Sequence, residues 1–179
     1  MDDYVNAGDP ANESLDFGEG SFTATLWINI LAGGYSPAII QKSTGMLQSD
    51  NDLGFSLGYS GSGGTSAYIR ARVGDGTSGA YTNGGPNLID GKWHHLVYSW
   101  DGSTLKLYVD GVFKASNTNN AVGSISNTSS FLIGKDAINA YFAKGSIDEV
   151  HVYGQALSSA EIQQRYVKGL KTRENLAVK

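Results

Sequence analysis

Five residues of this 179-residue chain suit a polyhydroxylated ligand: Trp27, Tyr68, Arg70, Arg72 and Tyr108. Each lies where apolar and polar residues alternate, in the phase opposite to the apolar run. Flat aromatic rings stack on the apolar faces of sugars, and guanidinium groups donate to their hydroxyls. The set therefore predicts a shallow carbohydrate-binding surface. Lys106, Glu149, His151 and Tyr153 share that phase and could extend it. The same positions also read as ordinary outward residues under loops.

Asp148 carries a different chemistry. It falls in phase with Val150 and Val152, so it should point inward near the start of its strand. A buried carboxylate needs a partner, and no Lys or Arg is adjacent in sequence. A calcium ion shared with backbone carbonyls of the Gly18-Glu19-Gly20 turn would satisfy it, because calcium takes carboxylate and carbonyl oxygens together. The metal ligands expected are thus Asp148, Gly18 and Gly20, with backbone N–H groups at a strand end as the other reading. Asp50-Asn51-Asp52 is a weaker second calcium loop, since such triplets are common turn material.

Catalytic patterns are thin. His94 and His95 are consecutive on a strand, so they face opposite sides and cannot chelate one ion; one should pack and the other stay exposed. Glycoside hydrolysis needs two carboxylates on one groove, yet the one strand-borne acidic pair, Asp148-Glu149, is adjacent and should split across the sheet. A lyase could cast Arg70, Arg72 and Tyr108 as neutralising groups and base, with little support. No zinc spacing, nucleophile elbow or phosphate-cradling glycine pattern is present.

The elements that must position these residues are strands. Phe22, Ala24, Leu26, Ile28 and Ile30 share one face of a half-buried strand. Shorter alternating runs recur at 38–42, 54–59, 67–73, 94–100, 105–110, 131–134 and 146–153. Glycine-rich stretches at 60–64 and 74–79 supply the turns, and the Asp101-Gly102 and Asp110-Gly111 pairs make residues 92–115 an antiparallel meander. The expected core is Phe22, Leu26, Ile28, Leu105, Leu107, Val109, Val150 and Val152. One helix is predicted, opened by a Ser158/Glu161 capping box and continued by Ile162, Tyr166 and Leu170. Residues 171–179 read as a polar tail or linker after a domain spanning 1–170.

Composition agrees. The 24 glycines and only 17% charged residues favour turns over solvated helices. Without cysteine there is no disulfide framework and no thiolate metal site. Net charge is −4, and the last dozen residues, with Lys168, Lys171, Arg173 and Lys179 against Glu174, leave −7 on the rest. Such a body repels phosphate backbones, so nucleic acid is not an expected partner. No stretch reaches the length of a membrane span, and the first residues do not read as a leader. The chain reads as one module taken from a longer protein.

Three blocks resemble one family. Gly91-Lys92-Trp93-His94-His95-Leu96-Val97-Tyr98-Ser99-Trp100-Asp101-Gly102 with Leu105-Lys106-Leu107-Tyr108-Val109-Asp110-Gly111 is similar to the central signature of laminin G-like, concanavalin A-like jelly-roll domains. Phe22 to Ile28 resembles their early strand, and Gly145 to Tyr153 with Ala156-Leu157-Ser158 resembles their closing strand and the turn into a helix. The likeness runs from Asp3 to Leu170. It implies an all-β, two-sheet antiparallel sandwich with one short C-terminal helix, an extracellular or cell-surface setting, a structural calcium, and a polysaccharide or cell-surface glycan as partner. It fixes function loosely, because this sandwich also hosts glycosidases and lyases. The reading is a non-catalytic carbohydrate-binding module, with a protein–protein adhesion module as the alternative and an enzyme as the remoter one.

Overall fold

The computed structural model describes residues 3–31, 37–45, 52–60, 67–138 and 141–177. Two antiparallel sheets pack face to face. Sheet A has six strands in the order β1 (Val5–Asn6), β10 (Leu132–Ile133), β3 (Ala38–Ser43), β4 (Leu53–Ser60), β5 (Tyr68–Asp75) and β6 (Gly79–Gly84). Sheet B has five, ordered β11 (Gly145–Tyr153), β2 (Phe22–Ile30), β7 (His94–Trp100), β8 (Thr104–Val109) and β9 (Val112–Thr118). One helix, α1 (Ser159–Ala177), follows the last strand. The expected two-sheet sandwich with a trailing helix is what forms.

The period-two phase explains the core. Phe22, Leu26 and Ile28 of β2 meet Phe55 and Leu57 of β4 and Ile69, Ala71 and Val73 of β5, together with Leu105, Leu107 and Val109. Val150 and Val152 pack against this layer but are only partly buried. Phe22 anchors an aromatic cluster, stacked on Phe17 at 4.9 Å and edge-on to Tyr98 at 5.4 Å. The β8–β9 hairpin turns on Asp110 and Gly111, whose φ angles of 54° and 74° are what a tight two-residue turn requires.

A buried cation fastens the N-terminal segment to this frame. The ammonium of Lys42, on β3, lies 3.0 Å from a carboxylate oxygen of Asp9 and 3.0 Å from one of Asp16, and it also donates to the Asn127 carbonyl. Its side chain is fully buried, so the partners replace the water it has lost.

The capping box closes as expected: the Glu161 carboxylate accepts from the Ser158 N–H at 2.8 Å, and the Glu161 N–H donates to Ser158 Oγ at 3.3 Å. The helix does not stop near Leu170, however. It continues to Ala177 through residues 171–177, where a polar tail is expected. That stretch lacks Gly and Pro, and Arg173 is held by contacts of its own.

Candidate functional site

The five sugar-suited residues do not share a face, because their strands belong to different sheets. Trp27 and Tyr108 lie on the outer side of sheet B, whereas Tyr68, Arg70 and Arg72 lie on the outer side of sheet A. They cannot form one groove. Alternation along a strand reports which side is polar but not which sheet the strand joins.

On sheet B, α1 lies across the outer face. Leu157 and Ile162 pack on Val97 and Tyr108, and the Tyr108 hydroxyl is 3.2 Å from Ser159 Oγ. Tyr166 stacks over Trp27 at 5.8 Å, and Arg173 lies over both Trp27 and Trp93, 4.5 and 4.3 Å from their ring centres. Gly169 touches Trp27 so closely that a Cβ there would stand 2.6 Å from its Nε1. Thr23 secures the approach to the helix: its hydroxyl donates to the Gln155 carbonyl at 2.8 Å and accepts from the Leu157 N–H at 2.9 Å. Trp27 and Tyr108 are left 2% and 4% exposed, so their rings serve packing.

Sheet A keeps part of its outer face open. Across it, Tyr81 of β6 faces Arg72 of β5, which faces Ser56 of β4 and then Gln41 of β3. The next row places Asn83 beside Arg70 and Gly58. Towards β3 the face closes, with Arg72, Ser56 and Gln41 buried and the Ala137 N–H donating to the Gln41 side chain at 3.2 Å. Towards β6 it opens: Tyr68 is 50% and Tyr81 54% exposed. Burial, with the Arg72 charge adding to it, presses the Arg70 guanidinium below its ordinary pKa. Tyr68 and Tyr81 are separated by about 13 Å along the strand and one strand spacing of about 4.8 Å across it. Two rings with an arginine between them can stack on separated units of an extended polyol and donate to the hydroxyls between. Tyr81 was not singled out from the sequence, since Gly79-Ala80-Tyr81-Thr82-Asn83-Gly84 is short and glycine-flanked; the alternation of Ala80 and Thr82 against Tyr81 and Asn83 was the available signal.

The three expected calcium ligands do not converge. A bulge between Asp148 and His151, with Glu149 at φ 49°, adds a residue and reverses the phase. Asp148 therefore points outward beside Trp27, with its side chain 55% exposed and 3.1 Å from Arg173. Glu149 also reaches Arg173, at 3.7 Å, so the acidic pair that was expected to split across the sheet shares one guanidinium. Gly20 lies seven residues before Trp27, roughly 20 Å away along the strand direction. Gly18, in the same turn, already accepts the Ile125 N–H with its carbonyl at 2.9 Å. These residues do not fit one ion. Of the Asp50-Asn51-Asp52 triplet, Asp50 and Asn51 lie outside the described residues. Among the described residues, no group of three or more His, Asp or Glu could hold a metal.

The histidines face opposite sides as strand geometry requires, but His94 is not the exposed residue expected, since its side chain is only 12% exposed. His94 contacts Asp110 at 2.8 Å and Asp90 at 3.0 Å, and the hydrogen bond to Asp110 is the main reason its pKa is raised. His95 is buried beneath Tyr166, and burial lowers its pKa to about 4. Among the described residues, no helix is long and apolar enough to cross a membrane.

Comparison with solved structures finds the same architecture elsewhere. The binding domain of Paraclostridial Mosquitocidal Protein 1 is 16% identical, with 93% of this chain and 44% of that one covered at a TM-score of 0.67. A SAP-like pentraxin from Limulus polyphemus is 18% identical, covering 80% and 68% at 0.59. Domain 4 of AbnA, a GH43 extracellular arabinanase from Geobacillus stearothermophilus, crystallised with arabinotriose, is 20% identical, covering 82% and 68% at 0.54. This chain thus spans less than half of the first of these. At such identities the likeness concerns the fold. A search of the curated proteins finds no significant match. The family model for the concanavalin A-like lectin/glucanases superfamily matches residues 1–163, which take in every described strand of both sheets, and the chain belongs to that superfamily.

Proposed function

We propose that this domain is a non-catalytic glycan-binding module of a secreted or surface protein, and that it holds an extended polysaccharide on the open half of sheet A. The observation that carries the reading is the pair of half-exposed tyrosines, Tyr68 and Tyr81, set on either side of Arg70 on a rigid sheet face. Aromatic rings on strands lose little conformational freedom on binding, which suits weak recognition of a flexible chain. The arabinanase domain of the same fold, bound to arabinotriose, supports a sugar as ligand without identifying which one. The acidic pair Asp148 and Glu149 supports a binding role over hydrolysis, because its charges meet one guanidinium instead of facing each other across a groove.

A glycan array followed by titration of the best ligand tests the proposal. Tyr68→Ala and Tyr81→Ala should each weaken binding about tenfold, in keeping with about 1.4 kcal/mol per stacked ring. Undiminished binding by the double variant would remove the site from this face, and release of sugar fragments by the purified domain would make it an enzyme.

A further inference from the structure

Between α1 and the β11 edge of sheet B runs a cleft of about 390 Å³, at the small end of the range for small-molecule sites. Its floor holds Thr25 and His95, its strand wall His151 and Tyr153, and its helix wall Arg165 and Lys168. The aromatic faces here are already occupied. Arg165 covers Tyr153 at 4.2 Å while His151 stacks on the same residue at 6.1 Å, so a ligand would meet ring edges and polar atoms.

Two polar groups in this cleft lack partners. Nδ1 of His95 is buried without a hydrogen bond, in a side chain only 3% exposed, and Nε of Arg165 is buried without one as well. Orphaned buried polar atoms cost stability, and a ligand that pairs with them recovers that cost. The charges point the same way. Arg165 donates to the Tyr153 hydroxyl at 2.7 Å, which leaves its positive charge uncompensated by that contact, and Lys168 stands one helical turn further on. The carboxylate on the opposite wall, Glu149, shares Arg173 with Asp148 and is only partly neutralised by it. The cleft lining thus holds two cations, Arg165 and Lys168, against one partly neutralised carboxylate, with Glu161 one turn before Arg165 outside the lining, a small positive excess on a chain of net charge −4.

We infer that the cleft between α1 and β11 is a second binding site, taking a carboxylate-bearing monosaccharide whose acid group meets Arg165 and Lys168 while a ring hydroxyl pairs with His95. The site is separate from the open face of sheet A and does not depend on the polysaccharide reading. Arginine and lysine supply charge-assisted donors for the carboxylate, and the enclosure suits a free sugar acid or a chain end.

Titrating the isotopically labelled protein with glucuronate and with glucose, and following amide shifts, tests this. Glucuronate should move the amides of residues 149–153 and 165–169 saturably, with glucose at least about tenfold weaker, since it lacks the charge. Arg165→Gln should weaken glucuronate binding about tenfold. Because that change could also loosen the helix, Lys168→Gln, on the exposed helix surface, is the second variant and should weaken it about threefold. Tyr68→Ala and Tyr81→Ala should leave the titration unchanged, so failure here and failure of the sheet A site are distinguishable. Equal affinity for glucose, unaltered affinity in Lys168→Gln, absence of shifts at these amides, or loss of binding in the tyrosine variants would each overturn the assignment.

Discussion

Sheets A and B both turn aromatic and cationic side chains outward, but α1 covers the rings at the centre of sheet B and leaves Phe113, on the β9 edge, half exposed. On sheet B, Trp27 and Tyr108 are 2% and 4% exposed because α1 lies over them; on sheet A, Tyr68 and Tyr81 are about half exposed. The helix cannot cover both faces, and the chain order decides which it takes: α1 follows β11, the edge strand of sheet B, and folds back over that sheet. An outward aromatic is therefore a candidate for binding only after the covering element is known. The difference predicts that equivalent substitutions on the two faces register in different measurements, as stability on sheet B and as affinity on sheet A.

The largest effect expected is from Trp27→Ala. Its ring contacts Tyr166, His95 and Arg173, so truncation should cost about 3–5 kcal/mol and loosen α1. Urea denaturation would check this. A cost under 1 kcal/mol would mean that the helix is not docked, and the contrast between the faces would collapse.

Acid should act on the same face. His95 has a folded pKa of about 4 against an ordinary value of 6.5, with burial as the main cause and the nearby Arg165, Arg173 and His151 adding to it against Asp110. Between these values the unfolded chain binds a proton that the folded chain refuses. The stability contribution is complete above pH 6.5 and is lost as pH falls towards 4, by up to about 3 kcal/mol. His94 acts in the opposite sense and in another window: its pKa is raised, so its contribution is complete below 6.5 and is lost as pH rises through the folded value. Stability measured from pH 7 to 4 should therefore fall more steeply in the wild type than in His95→Gln. Parallel curves would place His95 in contact with solvent.

Much of the sandwich was legible in the sequence because burial on one side imposes period two, and Phe22 to Ile30 or Leu105 to Val109 display it plainly. The capping box was legible because it is local. What escaped was not local. The bulge at Glu149 reverses the phase of Asp148 without any change in residue pattern, and this moved a predicted buried ligand to the surface. Assignment of strands to sheets depends on long-range pairing, so Trp27 and Tyr68 looked like neighbours when they are on opposite faces. Lys42 gave no hint of burial, since Asp9, Asp16 and Asn127 are distant in sequence. Tyr81 was hidden by the glycines that bound its strand.

Gly169→Val should have an intermediate effect. A Cβ here would stand 2.6 Å from Trp27 Nε1, so the added atoms would push the helix away from the sheet, costing about 1–3 kcal/mol. The near-ultraviolet signal of Trp27 should change with it. If melting and spectrum are unaltered, the close approach of helix and indole is not what holds the face shut.

The smallest change in stability is expected at Tyr81, which makes it the sharpest test of the comparison. Tyr81 sits on β6, the edge strand of sheet A, with 54% of its surface in solvent. Its backbone pairs with Arg72 whatever the side chain. The neighbouring Ala80 and Thr82, which face the core, are untouched by the substitution. Tyr81→Ala should therefore shift stability by no more than about 0.5 kcal/mol, within the range of surface substitutions remote from caps and ion pairs. Sheet strands also favour aromatic over small residues, so the sign of that shift should be towards destabilisation. Against this stands the roughly tenfold loss of glycan affinity expected from one stacked ring. Trp27→Ala, compared under conditions where it remains folded, should show the reverse, with large destabilisation and nearly unchanged affinity on sheet A. If Tyr81→Ala destabilises the domain as much as Trp27→Ala does, both faces are structural, and the ligand must be sought at the loops or in the cleft beside α1.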